Sequence, residues 1–256
     1  MVTASPSVPL PPSGRGPPIE QRGAVRCDSL DAERWTVRGA AKVLRDATVG
    51  AADLRGTVTV GGAVRAVRLD GTVHLGVVGD VRVQDAIRLQ GELRVNGALS
   101  AGQATIRGGL LVGGAVTIER RLEVVGPIGA ASLRAAEFVA RGRTEIPGVV
   151  GAGAVDLRPG DRSRLGTVEA RTVRIVAPVP NPVEALLGHH VSVGIDRVEA
   201  DTVELSGVDV GFVHARELVL GPGSHVATVE GTVVRRHPTA RVGPESRTPP
   251  PHGLWR

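Results

Sequence analysis

The feature that most constrains this chain is a short apolar alternation that recurs every five or six residues. Apolar residues come in pairs, and the single residue between the two is usually polar, such as Arg82, Glu123 or Asp209. This alternation is typical of a short β-strand with one buried face. The pairs are Val25/Cys27, Trp35/Val37, Ala41/Val43, Val58/Val60, Val73/Leu75, Val81/Val83, Ile87/Leu89, Leu93/Val95, Ala104/Ile106, Val116/Ile118, Leu122/Val124, Phe138/Ala140, Val155/Leu157, Val173/Ile175, Val203/Leu205, Val208/Val210, Val213/Ala215 and Leu218/Leu220.

The spacing of the pairs predicts the architecture. Hairpin sandwiches place their turns about 8–12 residues apart, whereas here a strand and its turn together take fewer than six. A helix is disfavoured by the many Gly and Val residues. We therefore predict an all-β fold, a parallel β-helix with three short faces and about 17 residues per coil, in which each strand pairs with its equivalent about 4.8 Å away. Residues 24–243 would give roughly 12 to 13 coils.

Composition agrees with a narrow, repeating interior. The chain has 35 Gly, 2 Phe, 2 Trp and no Tyr, yet 41% of its residues are hydrophobic. Stacked Val, Ile, Leu and Ala would fill such a core without aromatic rings. Glycines that tolerate unusual dihedral angles are expected at the corners. These are Gly56, Gly61, Gly71, Gly91, Gly97, Gly108, Gly113 and Gly126.

The prolines and the loss of the period divide the chain. Residues 1–23 and 244–256 are Pro-rich and are predicted to be disordered tails. Residues 24–175 carry the β-helix. Residues 176–190, VAPVPNPVEALLGHH, lose the period and are predicted to be a loop that leaves and rejoins the stack. Residues 191–243 are predicted to form the last coils of the same β-helix.

Charge and cysteine content limit the class of protein. The net charge is +5 and the single cysteine excludes a disulfide framework. With neither a long apolar run nor a signal-peptide pattern, the cytoplasm is expected. Arg82, Arg88, Arg94 and Arg107 are predicted to form outward ladders, with Arg88 stacked near Arg107. Such ladders would suit DNA or phospholipid, or they would keep the rod soluble by pairing with Glu92, Glu119 and Glu123.

Few residues suggest a catalytic or metal-binding role. Two adjacent histidines, His189-His190, are too few for a metal site without nearby carboxylates, so they are expected to be solvated. Cys27 is predicted to be a small core residue rather than a reactive thiol. No catalytic, cofactor-binding or metal-binding residues are predicted. Specific nucleic acid is not expected, and without aromatic platforms single strands are disfavoured.

Two enzyme classes remain as alternatives. The segment GPGSHV, residues 221–226, resembles the turns of left-handed hexapeptide-repeat acyltransferases. Those enzymes keep a strict six-residue period, whereas here the period is five from Val198 through Val203, Val208 and Val213 to Leu218. A β-helix polysaccharide lyase or hydrolase ranks lower, because it would need clustered carboxylates and aromatics that stack on sugars.

The chain resembles the bactofilins, polymer-forming cytoskeletal proteins of bacteria. The resemblance covers residues 24–243 and lies in the repeated core, as in GTVTVGGAVRAVRLDGTVHLG, in the Pro-rich flanks, and in the ending IDRVEADTVELSGVDVGFVHARELVLGPGSHVATVEGTVV. This ending is similar to the closing coils of a Gram-positive subgroup. The core is about twice the family's usual length, and this departure affects the expected subunit length and filament contacts.

The resemblance implies a right-handed coil and subunits that join end to end into non-polar filaments without nucleotide. It also implies a cytoplasmic scaffold, associated with the membrane or with cell-wall enzymes. The expected partner is therefore another copy of the chain. At the two ends of the solenoid, Val25 and Trp35 in the first coils and Phe212 in the last are the candidate polymerisation contacts, with a corner role for Phe212 as the alternative.

Overall fold

The structure consists of strands stacked one above another along a single axis. A computed structural model describes residues 16–178 and 193–243. Every strand pairing is parallel, and these two ranges contain no helix. The strands are β1 (Ile19–Cys27), β2 (Leu30–Val43), β3 (Ala47–Val60), β4 (Val64–Val77), β5 (Val81–Val95), β6 (Leu99–Val112), β7 (Ala115–Val125), β8 (Ile128–Gly129), β9 (Ser132–Gly142), β10 (Thr144–Pro159), β11 (Ser163–Val176), β12 (Val193–Ser206), β13 (Asp209–Leu220), β14 (His225–Arg236) and β15 (Arg241–Val242).

Each long strand pairs with the next long strand in the chain, so the fold is a parallel β-solenoid of about 12 coils. The two-residue β8 completes one coil by pairing with β6 and β10. Paired residues are 16 to 19 positions apart before Val176 and 15 or 16 apart after Val193. The prediction of a parallel β-helix is confirmed, and the five-residue period after Val198 corresponds to the shorter final coils.

Each coil turns two inward side chains to the core from each of three faces. The pairs in β2 define these faces as first (Leu30, Ala32), second (Trp35, Val37) and third (Ala41, Val43). Register then stacks equivalent residues into columns, such as Leu30, Ala47, Val64, Val81 and Leu99 on the first face. The apolar pairs predicted from the alternation are buried, except Val25 and Cys27, which are partly buried.

The corner between the second and third faces is built on glycine. We call the column Gly39, Gly56, Gly91, Gly108, Gly126 and Gly142 the glycine corner, and its φ angles lie between 116° and 141°. A Cβ atom at Gly142 would lie 2.6 Å from the carbonyl oxygen of Gly126, one coil away. Both the dihedral angle and the close approach therefore require glycine.

Glycines at the corner between the third and first faces have a different cause. Gly61, Gly97 and Gly113 were expected to need unusual dihedral angles, but none of them has a positive φ. A Cβ atom at Gly113 would instead lie 2.5 Å from the carbonyl oxygen of Asn96. Close stacking of adjacent coils, rather than backbone conformation, opposes a side chain at Gly113, although the equivalent positions in other coils are Leu44, Val78 and Asn96.

The boundaries of the solenoid differ from the predicted ones at the N-terminus. β1 begins at Ile19, inside the segment predicted to be a tail up to residue 23. β11 ends at Val176 and β12 begins at Val193, close to the predicted limits of the inserted segment. The predicted tails at residues 1–15 and 244–256, and residues 179–192 of the insertion, lie outside the described residues.

Candidate functional site: the two ends of the solenoid

Trp35 lies one coil inside the N-terminal end rather than on its surface. The side chain is 2% exposed, because Ile19 of β1 pairs with it from the coil outside. Its indole Nε1 donates a hydrogen bond of 3.0 Å to Oε1 of Gln21, which also belongs to β1. The prediction that Trp35 is a terminal contact placed it in the first coil, but β1 covers it.

Val25 lies on β1, the outermost strand of the described N-terminal end. It is partly buried and pairs with Ala41 of the next coil inward. Ile19 and Cys27 of the same strand also pack against the core. Among the described residues no strand lies beyond β1, so its outer edge presents unpaired backbone groups together with three half-buried apolar side chains.

Cys27 points toward the core, as the alternation predicts. It is partly buried and packs against the hydrophobic core. Burial raises the pKa of its thiol, and the neighbouring negative charge of Asp28 raises it further. The thiolate is the reactive form of cysteine, so this environment lowers reactivity at neutral pH.

Phe212 lies at the corner between the third and first faces, one coil inside the C-terminal end. It is half-buried and pairs with Arg197 on one side and Thr228 on the other. The guanidinium carbon of Arg197 lies 4.5 Å from the centre of the ring, a cation–π contact. This position fits the alternative corner role better than the predicted end-on contact.

The C-terminal end exposes an apolar strand that the sequence analysis did not single out. β15 pairs only with His225 and Val226, so the rest of the outer edge of β14 has no strand partner among the described residues. Val233 is 39% exposed and Val234 is 60% exposed. The sequence contains a pattern that predicts this exposure, because two adjacent valines, Val233 and Val234, cannot both point inward in an alternating strand.

A bulge explains why Val234 points outward. Leu218 pairs with Val233 and Val219 pairs with Arg235, so Val234 is the extra residue between them. Partly buried Val229 and exposed Val242, at 39%, add further apolar surface at the same end. Both ends of the described solenoid therefore combine an unpaired strand edge with apolar side chains.

The described histidines do not form a cluster of metal ligands. His214 Nδ1 lies 3.3 Å from Glu230 Oε2, and His225 Nδ1 lies 4.0 Å from Asp209 Oδ1. In residues 16–178 and 193–243 there is no group of three or more His, Cys, Asp or Glu side chains that could hold a metal ion. His189-His190 lies outside these ranges.

A shallow groove of about 600 Å³ lies between the first and second faces of the last coils. Among its charged lining residues, Arg216 lies 3.5 Å from Asp201 and His214 lies beside Glu230, whereas Arg171 makes no ion pair within 4.0 Å among the described residues. Small residues, including Ala170, Ala200 and Gly231, form its floor. The groove is open to solvent and lies on the side of the rod.

The predicted arginine ladder has a different register. Arg88 pairs with Asp70 and Thr105, while Arg107 pairs with Gln90. The expected stacking of Arg88 near Arg107 is therefore wrong, because Arg88 and Thr105 are paired 17 positions apart, whereas Arg107 is 19 positions from Arg88. Two of the predicted ion-pair acceptors are used, since Arg94 contacts Glu92 and Arg121 contacts Glu123.

The class of this protein is defined by its fold, because comparisons with known proteins found no match. No family model matches the chain, and no curated protein or solved structure matches it. The described residues contain no helix that is long and apolar enough to cross a membrane. The chain therefore belongs by its architecture to the parallel β-solenoids, a class that includes structural and repeat proteins.

Proposed function

We propose that the protein is a bactofilin-like cytoskeletal scaffold whose subunits join end to end into filaments without nucleotide. The observation that carries this proposal is the pair of open ends. At each end of the described stack a strand edge lacks a partner and half-buried or exposed apolar residues lie beside it.

An open solenoid end favours association with another copy of the chain. Unpaired N–H and C=O groups on a strand edge recruit further strands unless the end is capped. A docked subunit would extend the same hydrogen-bonded sheet and cover Val233 and Val234. Joining two ends therefore satisfies backbone groups and buries apolar area in one step.

The resemblance described above supplies the finer part of the proposal. It supports a right-handed coil, non-polar filaments and a cytoplasmic scaffold that organises membrane or cell-wall partners. We propose no catalytic role and no cofactor. The acyltransferase alternative requires a strict six-residue period, whereas the described coils vary between 15 and 19 residues.

Electron microscopy of matched variants tests the proposal. Purified protein should form filaments in negative stain without added nucleotide. V234R should abolish them, leaving at most dimers joined through the N-terminal ends, because it places a charge in the contact. V78R is the control, since Val78 is 55% exposed but lies on a lateral corner, and it should leave filaments unchanged.

Two outcomes contradict the proposal. The first is a monodisperse monomer at all concentrations of the parent protein. The second is equal assembly of the V234R and V78R variants, which would remove the C-terminal end from the contact. A soluble trimer that binds an acyl donor would favour the acyltransferase instead.

A further inference from the structure

The register of the strands sorts the charged side chains into columns along the rod. Beside the glycine corner, the column of residues that lies one position earlier in the chain points outward and is mostly arginine. The column contains Arg22, Arg38, Arg55, Thr72, Gln90, Arg107, Val125, Arg141 and Arg158, one residue per coil. At about 4.8 Å per coil it is about 38 Å long.

The outer side of the third face adds a second basic column. Arg26, Lys42, Arg94 and Arg164 occupy its central outward position, with small residues such as Thr59 and Gly76 between them. We call this column, together with all outward residues at the corner between the second and third faces, the basic band. Its basic members are Arg22, Arg26, Arg38, Lys42, Arg55, Arg94, Arg107, Arg141, Arg143, Arg158, Arg162, Arg164 and Arg241, and its acidic members are Glu92, Glu145, Asp161 and Asp209.

The charges of the rod are therefore divided unevenly. The basic band has 13 Arg or Lys against 4 Asp or Glu, a net charge of +9. The other described residues have 15 Arg or Lys against 20 Asp or Glu, a net charge of −5. The modest positive charge of the whole chain thus conceals a strongly basic side and a weakly acidic remainder.

Many charges of the basic band are available to a ligand. Within the described residues, seven of its side chains make no ion pair within 4.0 Å. They are Arg26, Arg38, Lys42, Arg107, Arg141, Arg158 and Arg164. Arg38, Arg107, Arg141 and Arg158 are also exposed. An anionic partner could bind them without breaking internal ion pairs.

Acidic residues border the basic band on both sides. On the second face, an outward column contains Glu20, Asp53, Asp70, Glu123 and Asp156, and its basic members are Arg88 and Arg174. Across the third face, Asp28, Asp46 and Asp80 lie at the far corner. A broad anionic plane resting on the band would approach these carboxylates, whereas a narrow polyanion would contact only the band, in which 13 basic side chains outnumber four acidic ones.

We propose that the basic band binds double-stranded DNA, lengthwise and without sequence preference. A band of about 38 Å matches about eleven base pairs, and duplex DNA carries one negative charge per about 1.7 Å of its axis. Exposed guanidinium groups form two hydrogen bonds to a phosphate, and the neighbouring threonine and glutamine side chains can also donate to it. The described surface offers no exposed aromatic platform for single strands, which favours the duplex.

Anisotropy titrations of a labelled duplex of about 20 base pairs, over salt concentrations of about 50 to 200 mM, test this proposal. The parent protein should bind, with affinity that falls steeply as salt rises. The variant R38Q/R107Q/R141Q should bind at least about ten-fold more weakly at low salt, and the slope of log affinity against log salt should fall by about two to three. The variant R38K/R107K/R141K should retain most of the binding.

The control variant R65Q/R134Q/R171Q removes the same charge from exposed arginines outside the basic band that make no ion pair within 4.0 Å in residues 16–178 and 193–243. It should stay within about two-fold of the parent. Equal losses in the two glutamine variants would overturn the proposal, because net charge alone would then explain binding. Absence of binding at low salt would overturn it as well. Tighter binding to vesicles of phosphatidylglycerol than to the duplex would assign the band to a membrane instead.

Folding and assembly are measured on the same samples. The substituted side chains are exposed, so thermal melting and filament formation should be unchanged in all variants. Filaments that form normally in R38Q/R107Q/R141Q while DNA binding is lost would separate this proposal from the assembly proposal.

Discussion

At the scale of single residues, the glycine corner shows how strongly a stacked fold constrains one atom. Each glycine lies directly beside the carbonyl group of the equivalent residue in the neighbouring coil. The positive φ angle bends the chain from the second face to the third, and the missing side chain lets the coils approach. One methyl group would disturb both the bend and the spacing of two coils.

Substituting Gly142 by alanine should destabilise the protein. Its φ of 127° and the 2.6 Å approach to the Gly126 carbonyl oxygen both oppose a Cβ atom. We expect a loss of about 3 kcal/mol in the free energy of unfolding, measured by denaturant titration. Gly76→Ala is the control, because a Cβ atom there meets nothing within 4 Å, and it should change stability by less than about 1 kcal/mol. Equal effects of the two substitutions would show that neither φ nor the close approach limits this corner.

The sequence predicts the apolar core residues but not the buried polar ones. The alternation identified the inward apolar pairs because period two is a local property of a strand. It did not identify Thr144 and Ser163, which are buried at inward positions of the third face. The Ser163 hydroxyl accepts a hydrogen bond of 3.0 Å from the Thr144 backbone N–H and donates one to the Gly160 carbonyl. Such pairing depends on neighbouring coils, which a local pattern does not contain.

At the scale of elements, the sequence predicts the strands but not the register in which they pair. Corners of the coil gain or lose one residue at bulges, so the pairing distance changes from coil to coil. A difference of two residues in the pairing distance was enough to place Arg88 opposite Thr105 instead of Arg107. The position of Trp35 was missed for a different reason, because the weak pattern of residues 19–23 did not identify the start of β1, which covers Trp35.

The inserted segment interrupts the chain without interrupting the stack. Val176 pairs with Ser206, and Ser163 pairs with Val193, so β11 and β12 form one continuous ladder on either side of the insertion. One coil further, the step equivalent to the whole of residues 178–192 is a direct bond from Gly207 to Val208. Gly207 makes this step with a φ of 67°, which alanine adopts poorly.

Deleting residues 178–192 together with Ala177→Gly should therefore preserve the fold. The shortened chain would repeat the Gly207–Val208 step, so its melting temperature should stay within about 5 °C of the parent. The same deletion without Ala177→Gly should melt lower, because alanine would need a positive φ. Loss of the β-sheet circular dichroism signal in both deletions would show that residues 178–192 are required for folding.

At the scale of the whole molecule, the number of coils sets a length that a microscope can measure. Thirteen levels can be followed on the third face, from Val25 and Cys27 to Ala240 and Val242. Twelve steps of about 4.8 Å, plus one step across a joint, give about 60 Å per subunit. The number of coils and the spacing between them determine the length of the subunit, rather than the number of residues in the chain.

Filaments should show an axial subunit spacing of about 60 Å. In the non-polar assembly that we propose, like ends meet, so the true repeat contains two subunits and is about 120 Å. Averaged electron micrographs or fibre diffraction would measure both spacings, together with the 4.8 Å spacing of the strands. A true repeat of 60 Å would contradict non-polar assembly, and a spacing unrelated to 60 Å would contradict end-on joining.

Trp35 gives the molecule an optical property of its own. Excitation near the red edge of the indole band bypasses phenylalanine, and the chain has no tyrosine, so only Trp35 and Trp255 would fluoresce. In a Trp255→Phe background all of the emission would come from one ring, held against Gln21 beneath the first strand. The emission maximum and lifetime of Trp35 would then report changes at the N-terminal end, such as the joining of subunits, without any attached dye.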